Sequence, residues 1–140
     1  MLGKAIGRGD VEEVLASIPY FSTLGIEITS QGDTLVTKLP FAERHIGNET
    51  LRALHGGVVA AFLDATATMT LVHEGGLQNV PRPINLTVDY LRPGRPEVLF
   101  AEARISKRGR RMASVRAMCW QGDRDKPVAE ALSHFLIGDS

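Results

Sequence analysis

Residues 58–72 constrain the fold of this chain more than any other segment. They form its longest apolar stretch, 15 residues long, and Asp64 is the only charged residue in it. A membrane-spanning helix needs about 20 apolar residues, so we interpret the segment as a helix buried inside the protein. A helix that is apolar all round must be surrounded by protein on every side.

Most of the other segments have the pattern of β-strands. Alternation of apolar with polar or small residues predicts strands at residues 24–28, 34–39, 84–90, 99–105, 112–120 and 128–137. Asp10 and Glu13 form a capping pattern for a short helix that ends at Pro19, and residues 40–52 are predicted to form a polar loop. The prediction is an α+β domain, with one antiparallel sheet wrapped round the long central helix. Because one sheet covers only one side of that helix, a partner subunit is expected to supply a second sheet.

Composition excludes several classes of protein. The chain has 140 residues, which predicts one domain; we assign residues 1–20 to an N-terminal segment with a short helix and residues 21–140 to that domain. Lys plus Arg and Asp plus Glu are 16 each, so the formal charge is zero, which argues against a nucleic-acid partner. Cys119 is the only cysteine, which excludes an intrachain disulfide and favours a cytoplasmic location. We expect no metal site, no cofactor and no membrane association.

Asp64 is the first candidate for chemistry. A carboxylate in an apolar helix is costly to bury unless it is partnered or neutralised. Its helical neighbours Ala60, Ala61, Ala67 and Thr68 are small, which predicts a recess above the carboxylate with room for a ligand. The alternative is a structural aspartate that is hydrogen-bonded to a threonine or to the backbone.

The segment before the helix supplies the other candidates. Gly56 and Gly57 begin the helix, where N–H groups without a side chain in the way make an anion or oxyanion site; the alternative is that they only permit a tight turn. His55 is predicted to steer a leaving group or to stack beside the turn. Asn48 is predicted to hold a carbonyl or a water molecule, or to form an Asx turn.

The spacing of Gly57 and Asp64 has a consequence for the assembly. Seven residues separate them, which is about 10 Å along a helix at 1.5 Å per residue. One bound carbonyl needs both groups within about 3–3.5 Å of its atoms. Two antiparallel copies of the helix about a two-fold axis would bring Asp64 of one chain to Gly57 of the other, so we expect a dimer with shared sites.

These residues together resemble a known family. Asn48, the tripeptide His55-Gly56-Gly57 and Asp64 are similar to the pattern of hotdog-fold acyl-CoA thioesterases of the phenylacetic-acid-degradation type. The sequence D-Y-L-R-P at residues 89–93 and R-G-R at residues 108–110 are also similar to that family, and the resemblance extends from about residue 21 to residue 137.

The resemblance implies hydrolysis of an acyl-CoA thioester to a free carboxylic acid and CoA. It implies a homodimer with a continuous sheet, often paired again into a homotetramer. Asp64 would be the general base or the nucleophile, and the Gly57 N–H would polarise the carbonyl of a substrate bound beside Gly56. Asn48 would orient the carbonyl or the water, and His55 would lie near the leaving sulfur.

Two further sets of residues concern the substrate. Many family members have a serine or threonine near the start of the third strand to hold the water, but this chain has Pro83 there, which leaves Asn85 or Thr87 as substitutes. Arg108 and Arg110 lie in a turn with four cations in five residues. This turn is predicted to bind the phosphates of CoA or to be an ordinary solvated hairpin tip.

Two other functions compete with hydrolysis. A hotdog dehydratase or hydratase acting on acyl thioesters pairs a loop histidine with a helix carboxylate, for which His55 and Asp64 are available. A non-catalytic acyl-CoA-binding dimer is the second alternative, although such binding has no need of a buried carboxylate.

Overall fold

The computed structural model describes residues 11–31, 33–75, 77 and 80–138. Within them, the elements follow in the order α1 (Val11–Ser17), α2 (Pro19–Leu24), β1 (Glu27–Gln31), β2 (Leu35–Leu39), a 3₁₀ turn (Glu43–His45), β3 (Ile46–Asn48), β4 (Ala53–Leu54), α3 (Gly56–Glu74), β5 (Arg82–Tyr90), β6 (Leu99–Arg108), β7 (Met112–Trp120) and β8 (Ala129–Leu136).

One antiparallel sheet of six strands holds the long helix α3 against one face. The strand order is β1-β2-β6-β7-β8-β5, and β3 and β4 form a separate small hairpin. Small residues occupy the helix-facing side of the central strands. For example, Ala117 of β7 pairs with Ala103 of β6 and with Ala131 of β8. They let α3 pack close to the sheet. The predicted α+β fold, a sheet wrapped round a central helix, is confirmed.

The far side of α3 is covered in part by the chain itself. The helices α1 and α2 both pack against α3, and Val11 and Val14 of α1 are fully buried. Every residue of α3 from 65 to 73 is buried, whereas Val58, Ala60 and Asp64 in its first half are only partly buried. The chain's own helices therefore contribute to covering α3, whose second half is buried within one chain, and a second sheet from a partner subunit stays a prediction.

The length and apolar composition of α3 would suffice for a membrane span, with a mean hydropathy of 1.2 over its best window. However, 67% of that window is buried inside the protein. The helix therefore has the environment expected of a core helix.

Two local predictions differ from the structure. Leu24 belongs to α2 and not to a strand, because Pro19 starts a short helix that buries Phe21 and Leu24 and ends at Gly25 with φ 83°. Residues 40–52 are not an irregular loop, since they contain the 3₁₀ turn and β3. The predicted cap at Asp10 lies outside the described residues.

The strand β5 forms an open edge of the sheet. It pairs with β8 on one side only. Two of its large side chains, Ile84 and Tyr90, are 48% and 53% exposed. An open apolar edge is a surface on which another strand can pair.

Candidate active site

Backbone hydrogen bonds from two other parts of the chain fix the turn that leads into α3. The N–H of His55 donates to the carbonyl of His45 at 2.7 Å, and the N–H of Leu54 donates to the carbonyl of Gly94 at 2.9 Å. Gly47 packs so closely that an added Cβ would lie 2.8 Å from the Cα of His55. These contacts restrict the backbone at the start of α3.

The side chain of His55 caps the helix that follows it. Its Nδ1 accepts a hydrogen bond from the N–H of Gly57 at 2.9 Å. The expectation that no side chain obstructs this N–H is therefore wrong for this conformation. The ring can fold back because Gly57 has no side chain: an added Cβ would lie 3.1 Å from the imidazole. A ligand carbonyl that binds the Gly57 N–H must displace the ring, and both glycines are exposed.

The same turn is bound on its other side by Tyr90, the last residue of β5. The Tyr90 hydroxyl donates to the carbonyl oxygen of Gly56 at 2.8 Å. Since the Gly56 carbonyl and the Gly57 N–H belong to one peptide group, this group is hydrogen-bonded at both ends. In the sequence, Tyr90 stands out only as a strand residue in D-Y-L-R-P, because nothing local relates it to a glycine 34 residues earlier.

Asp64 lies where α3 changes from partly exposed to fully buried. Its Oδ1 is buried and has no hydrogen-bond partner among the described residues, and burial raises the pKa of the carboxyl above its ordinary value. Thr68 donates its hydroxyl to the main-chain carbonyl of Asp64, at 2.9 Å. The structural alternative requires the carboxylate to be hydrogen-bonded to a threonine or to the backbone. In the structure, the buried Oδ1 has no such hydrogen bond among the described residues.

Gly57 and Asp64 lie on one continuous helix, because α3 spans Gly56–Glu74 without a break. Their separation along its axis is therefore about 10 Å. Within one chain, the two groups are too far apart to act on the same carbonyl.

Asn48 is the last residue of β3, and its side chain forms a turn within the loop. Such a turn was the predicted alternative to a role in binding a carbonyl or a water molecule. Its side-chain oxygen accepts the N–H of Leu51 at 3.0 Å. The oxygen is therefore engaged in the loop. Any contact with a substrate carbonyl would use the amide N–H groups of the side chain.

Asn85 and Thr87 lie on the face of the sheet that points away from α3. The side-chain oxygen of Asn85 lies 2.8 Å from Nδ1 of His134. A bulge between Pro83 and Asn85 shifts the register, so that Pro83 pairs with the buried Phe135 while Asn85 and Thr87 occupy the outer face. Neither side chain therefore faces α3, and the role of one of them in holding the water stays a prediction.

The two arginines of the β6–β7 turn have different surroundings. Arg108 donates from Nη2 to the carbonyl of Gly75 at 3.0 Å, where a cation also complements the negative end of the α3 dipole. Arg110 is exposed. This end of α3 lies about 27 Å along the axis from Gly57.

Other catalytic groups are not supported in the part of the chain that the structure describes. There, no three His, Cys, Asp or Glu side chains are grouped to hold a metal ion. Cys119 is buried, and burial raises the pKa of its thiol to about 12, so it is not a thiolate nucleophile near neutral pH.

Comparison with known proteins decides the family. A family model described as the thioesterase superfamily matches residues 52–128, a span that includes His55, Gly57, Asp64 and Tyr90. The chain belongs to the thioesterase superfamily. It is accordingly a thioester hydrolase with the hotdog fold, as the sequence resemblance predicts.

Individual relatives agree with this membership. The chain is 29% identical over 136 residues to the medium/long-chain acyl-CoA thioesterase YigI of Escherichia coli K12, with 86% of each chain covered. It is 36% identical to a crystallised protein from Chromobacterium violaceum, with a TM-score of 0.73 over 94% of this chain and 92% of that one. A phenylacetic acid degradation-related protein from Ralstonia eutropha shares the fold, with a TM-score of 0.77 at 22% identity over 91% and 98% of the two chains.

Proposed function

We propose that this thioesterase hydrolyses acyl-CoA at two sites of a homodimer, each combining Gly57 of one protomer with Asp64 of the partner subunit. The observation that carries the proposal is the arrangement on α3, where a helix-start donor and a carboxylate with an unpaired oxygen lie about 10 Å apart. CoA as the carrier of the acyl group is supported by the acyl-CoA thioesterase activity named for the E. coli relative.

The surfaces beside these groups support the dimer. The edge strand β5 has a free side with exposed apolar residues, and the first half of α3, from Gly56 to Asp64, contains residues that remain exposed or partly exposed. A two-fold axis beside β5 would join two sheets into one and set two copies of α3 antiparallel. Pairing of such dimers into a tetramer stays a prediction.

Hydrolysis then proceeds between the two protomers. The thioester oxygen displaces the His55 ring and accepts the Gly57 N–H. Asp64 of the partner subunit takes a proton from a water molecule, whose oxygen bonds to the carbonyl carbon, and the negative charge on the carbonyl oxygen is stabilised by Gly57. The C–S bond breaks, its electron pair leaves with sulfur, and the proton held by Asp64 passes to that sulfur. The products are a carboxylic acid and CoA.

Direct attack by the carboxylate of Asp64 is the second route, and it uses the same placement of groups. It would form an anhydride and release the CoA thiolate, and water would then hydrolyse the anhydride. In either route Asn48 contacts the carbonyl or the water through its amide N–H groups, and the displaced ring of His55 lies beside the leaving sulfur. Arg110, with Arg108 beside it, attracts the phosphates of CoA.

Release of free thiol from a panel of acyl-CoAs tests the proposal. Aromatic, short, medium and long acyl groups are compared, with Asp64→Ala as the inactive reference. We expect wild type to release thiol from at least one of them, and Asp64→Ala to release none above background. Binding of acyl-CoA without thiol release would favour the non-catalytic dimer, and gain or loss of water at the acyl chain would favour the hydratase or dehydratase.

A further inference from the structure

We infer that Tyr90 is a positioning residue for hydrolysis: its hydroxyl fixes and polarises the peptide group between Gly56 and Gly57, whose N–H receives the thioester oxygen. This inference rests on the proposed function, since that function assigns the oxyanion to Gly57. It gives the D-Y-L-R-P segment a role that neither the motif nor the fold by itself provides.

The contact is direct and geometrically favourable. The Tyr90 hydroxyl lies 2.8 Å from the Gly56 carbonyl oxygen, the usual length of an O–H···O hydrogen bond. An added Cβ on Gly56 would lie 3.4 Å from the same hydroxyl oxygen. The tyrosine hydroxyl therefore packs directly against Gly56.

Tyr90 is itself held firmly by the segment that follows it. Tyr90 pairs with Ala129 in the β5–β8 ladder, and the N–H of Leu91 donates to the carbonyl of Val128 at 2.8 Å. The side chain of Arg92 donates to the carbonyl of Pro127 at 2.7 Å. The hydroxyl is thus presented to Gly56 from a strand end that is anchored on β8 and on the loop before it.

The segment that follows Tyr90 also hydrogen-bonds to the chain just before His55. Gly94 accepts the N–H of Leu54 at 2.9 Å. It must be a small residue there, because an added Cβ would lie 2.9 Å from Cδ1 of Leu54. Residues 90–94 therefore bind the chain both immediately before His55 and immediately after it.

Two physical effects connect the Tyr90–Gly56 hydrogen bond with catalysis. Glycine has no side chain to hold its peptide group in place, so an external hydrogen bond is what fixes the direction of the Gly57 N–H. A hydrogen bond to the carbonyl of a peptide also strengthens the donor at its other end, because the bonds polarise one another. Tyr90 acts on the carbonyl end, so it competes neither with His55 nor with the substrate for the N–H.

The kinetic test compares two variants that each lose one hydroxyl group. Tyr90→Phe keeps the ring and removes the donor. Tyr20→Phe makes the same change at the other tyrosine of the chain, which is 55% exposed in α2. We expect Tyr90→Phe to lower kcat about threefold to tenfold, the effect of one hydrogen bond, with KM and Tm close to wild type. Tyr20→Phe should match wild type in all three.

A second readout reports on the peptide group without any substrate. The amide ¹⁵N shift of a residue depends on the hydrogen bond to the carbonyl before it, so in glycine-labelled protein the Gly57 resonance should move in Tyr90→Phe and not in Tyr20→Phe. An unmoved Gly57 resonance, or a moved one with unchanged kcat, would overturn the inference. Wild type that hydrolyses no thioester would overturn the proposed function, and the resonances would still decide whether Tyr90 fixes this peptide.

Discussion

The Asp64 carboxylate is harder to ionise inside the protein than in water, because burial removes solvent and no described residue bonds its Oδ1. The folded chain therefore binds this proton more tightly than the unfolded chain does. Its contribution to stability is complete below the unfolded pKa of about 3.9 and is lost as pH rises through the raised pKa of the folded state. Wherever the carboxylate is ionised, its burial therefore costs the folded chain stability.

Asp64→Asn should consequently separate stability from activity. We expect Asp64→Asn to have a higher Tm than wild type at neutral pH, and this difference should disappear as the pH falls toward the unfolded pKa of the carboxyl. We also expect kcat to be about 10²–10⁴-fold lower, which is the usual contribution of a general base. In wild type, the rate should rise with pH through a pKa above that of an ordinary aspartate, because the ionised form is active. Thermal unfolding and kinetics across pH measure both effects.

Asp125→Asn is the matched control for this prediction. Asp125 is exposed in the turn before β8, so its substitution should change neither Tm nor kcat appreciably. Near-wild-type turnover in Asp64→Asn would contradict the role assigned to the carboxylate. An unchanged Tm at neutral pH would contradict the claimed cost of burying it.

At the scale of residues, the sequence predicts what is local. Gly56, Gly57 and Asp64 follow from one helix and its spacing, and the structure places them on that helix as expected. The outward face of Asn85 could not be predicted, because it depends on a bulge in a ladder formed with a strand 49 residues away. Tyr90 was missed for the same reason, since its contact with Gly56 is made only by the folded chain.

At the scale of elements, α3 carries different groups at its two ends. Its start presents the Gly57 N–H, and its end is capped by Gly75, with φ 86°, and by the Arg108 guanidinium. The two arginines of the basic turn therefore differ: the Arg108 guanidinium contacts the end of α3, and Arg110 is exposed.

Charge reversal at the two arginines should give different results. Arg108→Glu places a negative charge at the negative end of the helix dipole and should cost about 1 kcal/mol of stability. Arg110→Glu should leave Tm unchanged and raise KM for acyl-CoA with little change in kcat, most strongly at low salt. Denaturant unfolding and steady-state kinetics at two ionic strengths measure this. An unchanged KM in Arg110→Glu at low salt would show that the turn is only solvated.

Element boundaries show where sequence patterns reach their limit. The strands β5 to β8 have long, regular alternation and α3 is a long, continuous apolar segment, and their predicted positions agree closely with the structure. The helix α2 has only six residues, too few for a helical period to differ from the alternation of a strand. The β3–β4 hairpin is equally short and depends on long-range contacts with Gly94 and His55.

For the whole molecule, the open edge of β5 and the partly exposed start of α3 lead to the same assembly. Both surfaces would be covered by a two-fold related copy, and the two halves of each proposed site would meet there. The helices α1 and α2 cover the remaining side of α3, which confines the expected interface to the region of Asp64 and β5.

A charge on the β5 edge should therefore dissociate the protein and inactivate it together. Ile84→Lys places a lysine at an apolar position that is 48% exposed, and Met112→Lys makes the same change at a position that is 47% exposed on β7. Sedimentation velocity should show wild type and Met112→Lys at twice the chain mass of 15.2 kDa, or at four times that mass if dimers pair. Ile84→Lys should shift toward the single-chain mass and lose turnover in proportion. A fully active wild-type monomer would contradict this account.

The most direct test of a site shared between two chains is the activity of purified mixed dimers. One chain carries Asp64→Ala, and the other carries Gly57→Pro, which removes the N–H; each variant alone must first be shown to fold and dimerise. The account predicts that both parent dimers are inactive, while each mixed dimer has one intact site of two and about half the wild-type kcat per dimer. Verified mixed dimers as inactive as either parent would contradict it.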